Sequence, residues 1–195
     1  AENALLESLH ALDSGSELST VTGISYLEDE KITKSKPRQS LTDIDSLPNA
    51  DWSVIDIEKY RGIWKQGKFP FTLNISTTRG CPFKCNWCAK PIYGNRYKSR
   101  SPERVVQELT TLSSNYGVNH FWVTDDIFGL KPGWVTEFNE LIQESSLKIN
   151  YKIQSRADLL MKDKTIEELV ESGLEEVWMG AESGSQKVLD AMDKG

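Results

Sequence analysis

The chain has 195 residues, with 23 Lys and Arg against 29 Asp and Glu, for a net charge of −6. That length fits one domain with some chain to spare, and 9% aromatic residues among recurring apolar segments exclude disorder throughout. The acidic balance argues against nucleic acid as a partner, and no apolar run approaches the ~18 residues of a membrane span.

In chain order, Glu2 to Leu12 sets Leu5, Leu6, Leu9 and Leu12 on one face of a helix, stopped by Asp13, Ser14 and Gly15. The chain opens at Ala1, not Met, in what reads as the middle of a domain, so a fragment is expected. Val21–Leu27 and Lys31–Lys34 alternate around Glu28, Asp29 and Glu30, which predicts a small hairpin. Residues 36–49, with two Pro and little periodicity, read as linker. Asp51–Lys68 carries scattered aromatics and is expected to pack without forming one regular element.

From Phe69 onward, strands and helices alternate. Strands are expected at Phe71–Thr77, Val118–Thr124, Ile149–Gln154 and Glu175–Gly180. Helices are expected after Ser101-Pro102-Glu103, across Pro132–Glu144 and Lys164–Glu171 (closed by Gly173), and after Ser185. Four such units predict an α/β fold with a parallel sheet, whose chemistry gathers at the C-terminal ends of the strands. Those ends carry Arg79-Gly80-Cys81, Asp125-Asp126, Arg156-Ala157-Asp158 and Glu182-Ser183.

The three cysteines, Cys81, Cys85 and Cys88, fall within eight positions. An odd, clustered set does not form a disulfide framework; it suits a soft metal in a reducing compartment, here the cytoplasm. A [4Fe–4S] cluster normally takes four thiolates, so three leave one iron open for a substrate. The alternatives are a non-catalytic Fe–S electron-transfer protein and a Zn-binding interaction module. Closed Zn and Fe–S sites want a fourth ligand, and outside the cysteines the chain offers only His10 and His120 as nitrogen ligands. A basic set, Arg79, Lys84, Lys90, Arg96, Lys98 and Arg100, surrounds the cysteines and suits an anionic substrate or an electron donor.

At these residues the sequence resembles the radical S-adenosylmethionine (SAM) superfamily. The motif Cys-x3-Cys-x-aromatic-Cys stands as Cys81-PFK-Cys85-N-Trp87-Cys88, and SPERVVQEL, Asp125-Asp126, QSRAD and GAESGSQKVLDAMDKG follow in order. The resemblance implies a partial (β/α)6 barrel in which Cys81, Cys85 and Cys88 hold a [4Fe–4S] cluster. Its open iron would chelate SAM, and reduction would cleave SAM to methionine and a 5′-deoxyadenosyl radical. The same resemblance places Trp87 near the adenine, Asp125 and Asp126 by the SAM amino group, and Arg156, Glu182 and Ser183 by the carboxylate and ribose. It further implies a small-molecule or lipid-like substrate and an electron donor such as flavodoxin or ferredoxin.

The stretch LTDIDSLPNADWSVIDIEKYRG resembles the junction of members that carry an N-terminal cobalamin-binding domain. Residues 1–35 are then the tail of that upstream domain, 36–68 the linker, and 69–195 the first two thirds of the barrel. The cobalamin would be bound by a domain outside this chain and used for methylation. Four units in place of six would expose a strand edge, so the chain alone is expected to fold and turn over poorly.

Overall fold

The computed structural model describes residues 1–67, 69–89 and 95–194. Lys68, Gly195 and Lys90 of the basic set lie outside the described residues. The chain divides into two compact units, Ala1–Thr42 and Asp43–Gly195.

In the first unit, helix α1 (Glu2–Ser14) ends on Gly15, whose left-handed backbone returns its N–H to Ala11 and Leu12. The helix buries Ala4 and Ala11, while Leu5, Leu6, Leu9 and Leu12 are each more than half exposed. The leucine spacing is helical, but the side that packs is the alanine side. Strands β1 (Ser25–Glu28) and β2 (Lys31–Lys34) form the expected antiparallel hairpin. Asp29 and Glu30 both take positive φ in its two-residue turn, the twist that tight hairpins favour. Its first strand starts at Ser25, later than the alternation from Val21 suggests.

In the second unit, a 3-10 turn (Trp52–Val54) is capped by Asp51. Helix α2 (Ile57–Gln66) follows, with the Asp56 carboxylate accepting from Lys59 N at 3.0 Å. This corrects the expectation of an irregular Asp51–Lys68: a side-chain cap satisfies an otherwise orphaned amide and starts a regular helix.

Four parallel strands then form one sheet in sequential order: β3 (Thr72–Ile75), β6 (His120–Val123), β7 (Asn150–Ser155) and β8 (Leu174–Met179). Between the first two lie β4 (Thr78–Arg79) and β5 (Lys98–Ser99), a short antiparallel pair. Helix α3 (Pro102–Tyr116) is capped by Ser101, whose hydroxyl accepts from Arg104 N at 3.2 Å. Helices α4 (Trp134–Ser145), α5 (Ala157–Leu160), α6 (Thr165–Glu171) and α7 (Gln186–Ala191) complete the chain.

The two faces of this sheet differ. Leu73, Ile75, Phe121, Val123, Tyr151 and Ile153 are buried in a core with Val105 and Leu109 of α3, Trp134, Phe138 and Ile142 of α4, and Leu169 of α6. The alternate positions Asn74, Trp122, Lys152 and Glu176 stand opposite one another across the four strands. Trp122 and Trp178 meet there at a tilt of 48°, ring centroids 5.7 Å apart, with the Lys152 ammonium 5.0 Å from the Trp122 ring. Sequential strand order, an apolar face under the helices and a polar opposite face describe an arc of a β/α barrel; a doubly wound sheet reverses its strand order. This is the partial barrel the resemblance implies.

Gly173 joins α6 to β8 at φ +106°, and a Cβ there would stand 2.1 Å from the Ile149 carbonyl oxygen. That oxygen belongs to backbone and cannot swing aside. Gly173→Ala is therefore expected to cost at least about 2 kcal/mol from backbone strain alone, read as a lowered urea midpoint. An unchanged midpoint would show that the β8 approach is slack.

Candidate functional site

The loop after β4 and the C-terminal ends of β6, β7 and β8 border a cavity of about 280 Å³. Its wall includes Cys81, Phe83, Cys85, Trp87 and Cys88 from the loop after β4, Asp126 and Ile127 after β6, Gln154 to Arg156 at the end of β7, and Trp178, Gly180, Glu182 and Lys194 from β8 and beyond. Seven of the nine residues proposed from sequence thus share one space: the three cysteines, Trp87, Asp126, Arg156 and Glu182. Asp125 and Ser183 do not line it.

The loop is held at both ends. At its start, β4 pairs with β5, so Thr78–Arg79 is laddered to Lys98–Ser99. At its far side, Asn86 N donates to Met192 O at 3.0 Å and Asn86 Nδ2 donates to Ala191 O at 2.7 Å. Lys194 pairs with Glu182 at 2.8 Å, with its ammonium 5.7 Å from the Trp87 ring centroid. The last turn of α7 therefore clamps the turn that carries Cys85 and Cys88.

Charge on the wall is organised by pairs. Arg156 Nε donates to Asp158 Oδ1 at 2.8 Å, and the guanidinium stands 4.1 Å from the Phe83 ring centroid. Guanidinium stacking on an aromatic face keeps the fork planar and its charge in place. Burial raises the Cys81 thiol pKa, against a lowering by the Phe83 backbone amide; Asp126 and the other two thiols push the same way as burial.

All three thiols are free. A structural zinc site wants four ligands, and the cavity wall offers three cysteines and no histidine among the described residues. His120 is engaged elsewhere, with Nε2 3.2 Å from Asn150 and Nδ1 2.9 Å from Asn119. A cubic cluster takes its thiolates on separate irons. Three separate thiols on one cavity wall, beside fixed positive charge, fit that donor set.

The Radical SAM superfamily model matches residues 75–195. The chain belongs to the radical SAM superfamily. A protein of Pyrococcus horikoshii described as an uncharacterized methyltransferase is 31% identical over 190 residues, 97% of this chain and 40% of that protein. An anaerobic magnesium-protoporphyrin IX monomethyl ester cyclase of Synechocystis is 28% identical over 195 residues, 100% of this chain and 38% of that one. Among solved structures, the cobalamin-dependent SAM radical enzyme OxsB aligns with a TM-score of 0.73 at 21% identity, over 98% of this chain and 28% of its own; that likeness shows the fold. The chain spans about two fifths of the length of the curated relatives it matches.

As a radical SAM protein, the chain has a [4Fe–4S] cluster and SAM as its cofactors. Among its described residues, no helix is long and apolar enough to cross a membrane. Sequence reasoning missed Phe83, Gln154, Trp178 and Lys194. Gln154 and Trp178 lie opposite each other in the β7–β8 register, and period-two alternation back from Arg156 could have found Gln154. Nothing local marks Lys194, which reaches the site through the fold of α7.

Asp125 is 2% exposed and turned toward the segment leading into the loop. Burial pushes its pKa up from 3.8 to about 6, against the lowering effect of bonds from Thr77 and Thr78. Tyr97 is a neighbouring titratable group, and with its phenol pushed up to about 12 it stays neutral over this range. A folded pKa above the unfolded one means the folded state holds more protons between those values, so stability falls as pH rises from about 4 through 6. At 1.36 kcal/mol per unit the effect is about 3 kcal/mol. Urea unfolding from pH 4 to 7 is expected to show wild type losing that much relative to Asp125→Asn; parallel profiles would refute it.

Proposed function

We propose that this chain is the SAM-cleaving part of a cobalamin-dependent radical SAM methyltransferase acting on a small molecule. The observation that carries the reading is the meeting of Cys81, Cys85, Cys88 and Trp87 with Asp126, Arg156 and Glu182 around one cavity at the strand ends. When bound, the reduced cluster supplies the electron that cleaves SAM to methionine and a 5′-deoxyadenosyl radical.

The chain's own residues do the holding. The three cysteines would hold the cluster. Arg156 brings a permanent positive charge to the SAM carboxylate, Glu182 accepts from the ribose diol, Trp87 covers the adenine, and Asp126 faces the amino group. Ser183 lies next to Glu182 on the ribose side, and its hydroxyl accepts from Ser185 N at 3.1 Å at the start of α7. The names of the Pyrococcus relative and of OxsB support the methyl-transfer and cobalamin parts of the reading. Residues 1–35 are the tail of the cobalamin-binding domain, 36–68 the linker and 69–195 the first two thirds of the barrel; the open row of Leu5, Leu6, Leu9 and Leu12 supports an upstream partner. Lys84 stands exposed beside the cysteines, on a side suited to an acidic electron donor such as flavodoxin or ferredoxin.

The test is anaerobic reconstitution with iron and sulfide, metal counting, and electron paramagnetic resonance of the reduced protein with and without SAM. About four irons per chain and a signal that shifts on adding SAM are expected. One zinc per chain with no iron would overturn the reading. Retention of cobalamin by a longer chain that includes the upstream domain tests the methyltransferase part.

A further inference from the structure

Two adjacent carboxylates follow β6, and they face different ways. Asp126 lines the cavity. Asp125 turns back beneath the segment that joins β3 to β4. Its Oδ1 accepts from Thr77 N at 2.7 Å and Thr78 N at 2.9 Å, with Ser76 Oγ at 3.4 Å, and its Oδ2 accepts from the Thr77 hydroxyl. Successive backbone amides aimed at one oxygen form an anion-binding concavity; here the anion belongs to the chain. From the other side, Arg100 N donates to Thr77 O at 2.8 Å. Thr78 is three residues before Cys81, with only Arg79 and Gly80 between.

We propose that Asp125 is a positioning residue for the three-cysteine loop, fixing the Thr77–Thr78 backbone and so the direction in which Cys81 enters the cavity. The inference rests on the reading of that loop as the cluster site and extends it one layer outward. Asp125 does not line the cavity itself. It acts through the Thr77 and Thr78 amides together with the Thr77 hydroxyl.

Asp125→Ala leaves the Thr77 and Thr78 amides and the Thr77 hydroxyl without their acceptor. Asp125→Asn keeps an Oδ1 acceptor for both amides. In reconstituted protein challenged with an iron chelator below its melting temperature, Asp125→Ala is expected to lose iron 10- to 100-fold faster than wild type, the range seen when an outer partner of a metal ligand is removed. Asp125→Asn is expected to stay within about threefold of wild type by the same measure.

Leu109→Ala, which empties core space on the sheet's covered face, sets what lost stability alone does. It is expected to melt lower and keep its iron. Equal iron loss from Leu109→Ala and Asp125→Ala at matched melting temperature would overturn the proposal, as would wild-type retention by Asp125→Ala. Should Asp125→Ala fail to fold, Thr77→Val removes only the hydroxyl bond. Faster iron loss from it supports the anchor, and an unchanged rate overturns it.

A second readout needs no cluster: alkylation of the thiols in the iron-free chain, followed by mass spectrometry. Asp125→Ala is expected to change the rate at Cys81 more than at Cys85 and Cys88, which the α7 clamp holds; uniform change or none would overturn the proposal. Failure of the wild type to take up iron would therefore defeat the functional reading while leaving Asp125 to be judged by the Cys81 rate.

Discussion

Replacing Cys81, Cys85 or Cys88 singly with Ala is expected to abolish cluster retention and SAM cleavage, by more than the ~10–100-fold that losing an outer partner of a metal ligand costs. In the proposed site each thiol is one of three ligands, and no other described Cys or His lines the cavity to take its place. The effect should be local. Cys85 and Cys88 lie in a turn held through the neighbouring Asn86, and none of the three belongs to the buried core. Iron per chain should therefore fall towards zero while the urea midpoint of the iron-free protein stays within error of wild type. A variant that keeps both its iron and its response to SAM would remove that cysteine from the ligand set.

Phe128→Ala is expected to cost about 3–5 kcal/mol, the range for emptying a buried aromatic site. Phe128 is 2% exposed. Its ring meets Trp134 edge-on at 5.2 Å, with Phe138 at 6.5 Å and Tyr151 at 6.4 Å. Against the roughly 5–15 kcal/mol that holds a domain together, that is a large share. Denaturant unfolding should show a lower midpoint with an unchanged slope. Phe128 also directly follows Asp126 and Ile127, which line the cavity, and its carbonyl accepts at 3.0 Å from the Oγ of Ser155, another lining residue. The variant should thus bind SAM more weakly even where it remains folded. A loss under 1 kcal/mol would mean that the aromatic cluster closes over the vacated space.

The barrel was legible because each of its units repeats the same contrast: a short β-branched and aromatic run, then an apolar stripe at helical spacing. Val118–Thr124 foretells β6, and Ser101-Pro102 foretells the start of α3. The cysteine spacing named the chemistry. Three things stayed hidden for physical reasons. Helix α2 had a cap at Asp56 and apolar residues at Ile57, Tyr60 and Trp64, but Gly62 and its charged neighbours diluted the stripe. The β4–β5 pair is two residues long on each side, too short to show a period. Asp125 and Asp126 are indistinguishable as letters, since strand alternation ends where they begin and only the fold decides which one is buried. The leucines of α1 show the converse limit: periodicity identifies a face without saying what covers it.

The clamp between Asn86 and Ala191 joins positions 105 residues apart. During synthesis the cysteines emerge long before the residues that fix the far side of their loop. At about 5–20 residues per second, the interval is roughly 5 to 20 seconds, in which three reduced thiols sit on an unfinished sheet. If this loop holds the cluster as proposed, loading of iron and sulfide into a set loop belongs after α7 has been made, with the thiols kept reduced until then.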